Sequence, residues 1–375
     1  MVGRYIKKEI ESHLFEERAI IIYGARQVGK TTLVRAILRD FKEESVYLNC
    51  DEPDIREELT GATSTRLSYL FGDAKLIVID EAQRIADIGL TLKLAVDTMP
   101  EKQIIATGSS SFELANQTSE PLTGRKFEFH LHPLALGELS SVETPRETNR
   151  MLDIRLIFGM YPAVLTAGKE RAGEILKELT GSYLYQDVLA WKDIRKPELL
   201  DKLLRALALQ LGNEVSLPEL GRLIRVDKVT VENYLRVLEQ AFVVFRLPPY
   251  SRNMRTELKR LRKVYFWDVG IRNALINNLN PAELRTDVGG LWENFVIVER
   301  MKALQNAGRS ARCYFWRSHQ QQEVDYIEET ESGLLAAEIK RKQSSGRLPK
   351  SFVQAYPEAQ NEWVHPGNLF EFLEI

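Results

Sequence analysis

The chain has two cysteines among its 375 residues, Cys50 and Cys313, and neither stands in a metal-ligand spacing. So few thiols argue against a disulfide framework and a cysteine zinc site, and they suit a reducing cytoplasm. Histidine is scarce as well: there are five, and no HExxH or comparable cluster occurs. His130 and His132 flank Leu131 at strand spacing and read as ordinary surface or core histidines. Long apolar runs are missing. AIIIY (19–23), LIVI (76–79) and AFVVF (241–245) are all short, far below the ~20 residues of a membrane span. The opening MVGRYIKKEIESHLFEERAI has no stretch of signal-peptide length. Net charge is close to nil: 51 Lys and Arg against 53 Asp and Glu leave −2. Any surface for a polyanion must therefore be local. Neither an internal repeat nor a low-complexity tract is present.

What is present is an ordinary soluble composition, 44% hydrophobic and 28% charged. At about 100–200 residues per domain, the length predicts two or three domains. The first contains AIIIYGARQVGKTTLVRAIL, Ala19 to Leu38. A short apolar strand runs into Gly24, Gly29, Lys30 and Thr31, which fit G-x-x-x-x-G-K-[ST], and Thr32 to Leu38 continues as an amphipathic helix. Strand, glycine loop and helix are the context that this phosphate cradle needs. Its backbone N–H groups and the helix dipole face phosphate oxygens. Lys30 would neutralise the outer phosphates of ATP, and Thr31 would hold Mg²⁺.

KLIVIDEAQR, Lys75 to Arg84, is apolar on successive residues, as in a strand covered on both faces. It ends in Asp80, placed for the Mg²⁺ shell, and Glu81, placed to polarise an attacking water as in a hydrolase. QIIATGSS (103–110) is a further strand. Thr107 or Ser109 at its end stands where a γ-phosphate sensor would, or else caps a turn. Arg125 precedes the strand from Lys126 to Leu131 and reads as an arginine finger or as a surface cation. Arg26 is the alternative finger. A finger supplied in trans would require a homo-oligomer.

GARQVGKTTL, LNCDEPDIRE, LIVIDEAQRIADI, TGSSS and LTGR…HLHPLALGEL together resemble the predicted archaeal and bacterial AAA+-type ATPases that carry a C-terminal domain of unknown function. The resemblance covers essentially the whole chain. It implies an ATPase using ATP and Mg²⁺, and a fold of α/β class: a P-loop parallel sheet with a helical lid, a winged helix and a C-terminal α/β nuclease-like domain.

The expected boundaries are 1–134 for the ATPase core, 135–197 for the lid, 198–270 for the winged helix and 271–375 for the last domain. ELLDKLLRALALQLG, SLPELGRLI with Ser216 as N-cap, and DKVTVENYLRVLEQAF are three helices, and strands 241–250 and 264–270 follow. This is a winged-helix layout, with Lys228, Thr230, Asn233 and Arg236 partly exposed on the third helix. The segment 251–263 carries Arg252, Arg255, Lys259, Arg260, Arg262 and Lys263 against one acidic residue. Those cations suit the phosphates of DNA or form a solvated face, and winged helices also pack against proteins.

In the last domain, EVDYIEETESGLLAAEIK reads as a hairpin turning between Glu331 and Ser332. That register sets Asp325 opposite Glu338, with Lys340 on the same face. Helix 289–305, a strand, then this hairpin resemble the restriction-endonuclease-like core of the PD-(D/E)xK class. On this resemblance Asp325, Glu338 and Lys340 match the catalytic residues and Glu293 the acid of the preceding helix. Val324 stands where proline is usual. Asp325, Glu338 and Glu293 would hold Mg²⁺ in an all-oxygen site, and Lys340 would orient water. Three readings stay open: an active nuclease, a remnant that only binds nucleic acid, and a charged sheet edge. The basic run Lys340, Arg341, Lys342, Arg347 and Lys350 lies alongside. The whole-chain expectation is a cytoplasmic ATPase that engages DNA. The alternative is a nucleotide switch that recruits a protein partner.

Overall fold

The computed structural model describes residues 2–108, 122–183, 196–251, 262–318, 320–342 and 346–375. The chain divides into two units. The first is Gly3–His132 with Gln240–Phe242, and the second comprises Pro133–Glu239 and Val243–Ile375 together with Val2.

The first unit is built on a parallel sheet of five strands in the order β2-β3-β4-β1-β5. These are β1 (Ala19–Tyr23), β2 (Ser45–Asn49), β3 (Leu76–Asp80), β4 (Gln103–Gly108) and β5 (Lys126–His130). Every residue of β1, β3 and β4 is buried, while β2 and β5 at the edges are part exposed. Continuous Val/Ile runs are what a parallel strand needs when helices cover both faces. β4 lies between the strand that feeds the phosphate loop and the strand that ends in Asp80, giving an AAA+-like P-loop fold.

The second unit contains two sheets. The smaller has the order β6-β8-β7, all antiparallel, from β6 (Glu214–Val215), β7 (Val244–Leu247) and β8 (Arg262–Phe266). Helices Pro197–Leu209, Leu217–Ile224 and Lys228–Gln240 accompany it. Ser216 caps the second of these by accepting from the Glu219 N–H, and Asp227 caps the third by accepting from Val229 and Thr230. The strand expected through Gly270 stops at Phe266, because Asp268 caps a helix, Val269–Leu275.

Asp268 also accepts from the Met160 N–H at 2.7 Å, and a Cβ on Gly270 would lie 2.1 Å from the Phe158 carbonyl oxygen. Only glycine permits that approach. The helices between 145 and 178, expected as a lid on the ATPase, thus pack within the second unit against Val269–Leu275.

The larger sheet has the order β12-β11-β10-β9. Its strands are β9 (Arg312–Arg317), β10 (Glu323–Thr330), β11 (Gly333–Ile339) and β12 (Gln360–Val364). β9, β10 and β11 are antiparallel neighbours, and β12 pairs with β11 in parallel. Trp316, Val324, Ile327, Ala336 and Phe352 are among the residues of its core cluster. The Val288–Asn306 helix is buried on several sides, with Asn294, Glu299, Arg300 and Lys302 buried alongside its apolar residues, and packs against both β8 and β11. Tyr250 donates its N–H to the Phe315 carbonyl at 2.6 Å, and Phe315 donates to the Pro248 carbonyl at 3.0 Å. The chain leaving β7 thereby covers the free edge of β9 and holds the smaller sheet against the larger.

Candidate functional sites: a phosphate loop and an acidic cluster

The phosphate loop follows β1 directly. A Cβ on Gly24 would stand 2.4 Å from the Leu131 carbonyl oxygen, so the chain leaving β5 requires glycine there. Gly29 has φ +101°, outside the range of ordinary L residues, and opens the Lys30–Asp40 helix. Lys30 is 5% exposed, and its ammonium donates to the carbonyls of Gly24 at 2.9 Å and Ala25 at 3.0 Å. The Thr31 hydroxyl donates to Asp80 Oδ2 at 2.8 Å. Thr32 is exposed on the first turn.

Asp80 is 2% exposed and takes two further donors. Tyr47 Oη donates to Oδ2 at 2.6 Å, and Thr107 Oγ1 donates to Oδ1. Burial, with Asp80 adding to it, pushes the Tyr47 phenol up to about 12. Thr107 also accepts from the Glu81 N–H at 3.2 Å. It is fully buried and tied to both Asp80 and Glu81. Glu81 adopts φ +56°, strained for a non-glycine residue, and its carboxylate accepts from Gln83 at 2.6 Å. These residues fit Mg²⁺–ATP. Thr31 and Asp80 offer hard oxygen ligands to the ion, and Lys30 is held by neutral carbonyls that a phosphate would displace. Ser109 lies outside the described residues.

Arg125 is not at this site. Its carbonyl accepts from the Ala19 N–H, at the start of β1 and β5, whereas the phosphate loop leaves their ends. Its guanidinium pairs with Asp97 at 2.6 Å on the surface. Both expected readings, a finger supplied in trans and a surface cation, are compatible with that position.

The second constellation is acidic. Residues 330 and 333 pair at the turn and Tyr326 pairs with Ala337, the register that sets Asp325 opposite Glu338. On its other side β10 carries a bulge between Val324 and Ile327. A bulge turns its side chains aside from the regular alternation. Asp325 is 4% exposed and accepts from the Ile339 N–H at 2.8 Å and from Lys340 at 3.0 Å. Lys340 also pairs with Glu338 at 2.7 Å, and Glu338 Oε2 is buried with no hydrogen-bond partner among the described residues. Burial and the nearby Asp325 raise the Glu338 carboxyl above its ordinary value.

Glu293 approaches from the Val288–Asn306 helix, and oxygens of Glu293, Glu323 and Asp325 lie within 4.8 Å of one another. Glu338 is not a member of that trio. Sequence reasoning missed Glu323, although a residue two before Asp325 is a natural companion on a strand. It also misplaced Lys263. Expected on a basic surface, Lys263 is 1% exposed and pairs with Glu293 at 3.0 Å and with Glu323. Tyr265, on the same face of β8, donates to the same Glu293 oxygen at 2.5 Å. Burial pushes the Glu293 carboxyl up to about 7 against the opposing pull of Lys263.

As these side chains stand, the carboxylates face ammonium groups here rather than offering open ligand oxygens. One ammonium already stands between Glu293 and Glu323, and a second bridges Asp325 and Glu338. Of the other cations expected to meet DNA, Arg262 is part exposed on β8. Arg252, Arg255, Lys259 and Arg260 lie outside the described residues. Arg341 pairs with Asp153 at 2.5 Å.

Comparison with known proteins adds three matches along the chain. An AAA domain model matches residues 16–140, a domain of unknown function (DUF8612) matches 149–282, and another (DUF4143) matches 288–370. The Walker-type ATPase PABY2304 of Pyrococcus abyssi is similar in structure, with TM-score 0.49 and 18% identity, covering 73% of this chain and 96% of that one. The uncharacterized protein MJ1544 of Methanocaldococcus jannaschii is 25% identical over 87% of this chain and 75% of its own. The uncharacterized protein Rv2008c of Mycobacterium tuberculosis is 30% identical over 93% of this chain and 76% of its own length. Likeness of that degree and extent, with an AAA domain at the head of the chain, means that this protein belongs to the same family as Rv2008c, a family of AAA-domain proteins.

Proposed function

We propose that the chain hydrolyses ATP and couples the nucleotide state to its hold on DNA. Lys30, Thr31, Asp80 and Glu81 would form the hydrolytic centre, with Mg²⁺ as the metal. We read residues 198–270 as a winged helix, on the element order helix, strand, helix, helix, strand, strand and the sheet order β6-β8-β7. We read 271–375 as a nuclease-like core that contacts nucleic acid rather than cutting it. Residues 1–134 would be the ATPase core, and 135–197 a helical segment belonging with the second unit.

The observation that carries the DNA reading is the outer face of the helix pair. Arg222, Arg225, Lys228, Asn233 and Arg236 are all exposed. The four cations make no ion pair among the described residues, whereas Glu232 and Glu239 are tied to Arg246. The face is thus more basic than the sequence suggests. Leu223 and Val229, 62% and 59% exposed on the same face, favour a second reading in which a protein partner docks there.

Salt separates the two. Reversing Arg222, Arg225 and Lys228 to glutamate should weaken duplex binding and flatten its salt dependence by roughly three phosphate contacts. Duplex binding unchanged across salt would remove DNA from this face and leave the docking reading.

A further inference from the structure

The acidic cluster takes no part in nucleotide chemistry or in the cationic helix face. Carboxylates brought this close without a cation would repel, and burial would raise the cost. The cation is supplied from within. Lys263 has a long, flexible stem that would normally carry its ammonium to water. Instead it is buried, paired with Glu293 and Glu323, with its ammonium 5.6 Å from the centre of the Phe315 ring. Tyr265 occupies the same Glu293 oxygen.

The placement is reinforced by a crossed set of charges. Glu214 and Lys263 are opposed across β6 and β8, and Arg317 and Glu323 are opposed across β9 and β10. Between the sheets the pairing swaps: Arg317 reaches Glu214 at 2.8 Å, while Lys263 reaches Glu323. Each strand pair thus offers one charge of each sign to the other, which holds β8 over the cluster.

We propose that Lys263 is a built-in plug, its ammonium standing where a divalent cation would have to stand among Glu293, Glu323 and Asp325. While β8 is docked, the C-terminal domain holds no divalent ion at that cluster. The inference rests on the nuclease-like reading only for what the site would otherwise hold.

The test is Mn²⁺ binding to nucleotide-free full-length protein, followed by electron paramagnetic resonance of the free ion. Wild type and Glu293→Gln should bind Mn²⁺ alike. Lys263→Met should gain an additional ion, bound about tenfold or more tighter than any at that place in wild type. Adding Glu293→Gln to Lys263→Met should remove it. If Lys263→Met folds only when Mn²⁺ or Ca²⁺ is supplied, the ion has replaced the ammonium and the plug stands. If it folds and gains no ion, the plug is wrong. If wild type itself loses an ion on Glu293→Gln, the site was open all along and the plug is equally wrong. That wild-type comparison can overturn the plug even where Lys263→Met cannot be folded. Failure of the DNA or ATP experiments leaves this result untouched, since neither ligand is present.

Discussion

Lys30 and Lys263 are both buried among oxygen atoms, and the company they keep differs. Lys30 is held by the carbonyls of Gly24 and Ala25, which are neutral. Lys263 is held by the carboxylates of Glu293 and Glu323, with Asp325 close by. Burial works against the charge of Lys263, yet the three acids hold its ammonium above the ordinary lysine value. A carbonyl dipole keeps an ammonium in place without cancelling its charge, so an incoming phosphate finds a full cation. A paired carboxylate such as Glu323 does cancel it. The first lysine is positioned for an anionic ligand, and the second is spent on the fold. Sequence alone marks Lys30 by its place in G-x-x-x-x-G-K-[ST], whereas Lys263 reads as one more cation in a basic run.

Alanine at the two positions should separate these roles sharply. Lys30→Ala removes the cation from the outer phosphates, and ATP turnover should fall by ~10²-fold or more, the scale of losing a preorganised electrostatic group. Stability should change by about 1.5–3 kcal/mol, the scale of hydrogen bonds made by a charged group. Steady-state phosphate release and urea unfolding measure the two quantities. Turnover retained in Lys30→Ala would overturn the assignment of the nucleotide site.

Lys263→Ala should behave the opposite way. It leaves Glu293 and Glu323 facing each other without their cation, and removing one partner of a buried pair costs about 3–5 kcal/mol. Nucleotide turnover at temperatures where the variant is folded should be unchanged. A loss below ~1 kcal/mol would mean that the acids relax into water, and the contrast between the two lysines would dissolve.

How much of this was legible follows from how local each feature is. The phosphate loop is contiguous, and β3 announces Asp80 by four apolar residues before it. The hairpin is equally local: a turn between Glu331 and Ser332 fixes by counting that Asp325 faces Glu338. Lys263 was not legible. It sits at the end of a run of cations, and a run of cations reads as surface. Its burial depends on Glu293, carried to β8 by a helix whose Asn294 bonds both Phe266 backbone groups, and on Glu323, which comes with the larger sheet that residues 248–250 join at β9. The helices between 145 and 178 show the same limit. Periodicity gives a helix and its apolar face, but Gly270 against Phe158 decides which neighbour that face meets. Arg125 shows a topological rule: a residue that precedes a parallel strand lies at the end away from its own phosphate loop, which the sequence order already implies.

The smallest effect bears on the charge state inside the cluster. Burial pushes the Glu293 carboxyl up to about 7, while Lys263 and Tyr265 favour its ionised form and Asp325 opposes it. The folded chain therefore binds this proton more tightly than the unfolded chain does. Stability contributed here is full below the unfolded carboxyl value and declines as pH rises through about 7. Glu293→Gln cannot titrate, so its stability should drift upward relative to wild type between pH 5 and pH 8. Denaturant midpoints for both proteins across that range measure the drift. A drift of the opposite sign would mean that Lys263 prevails over burial and holds Glu293 as a full carboxylate. The plug would then be an ion pair with Glu293 as well as with Glu323. A drift in the expected direction leaves Glu323 as the principal counter-charge of Lys263, with Glu293 acting as a hydrogen-bonding neighbour near neutral pH.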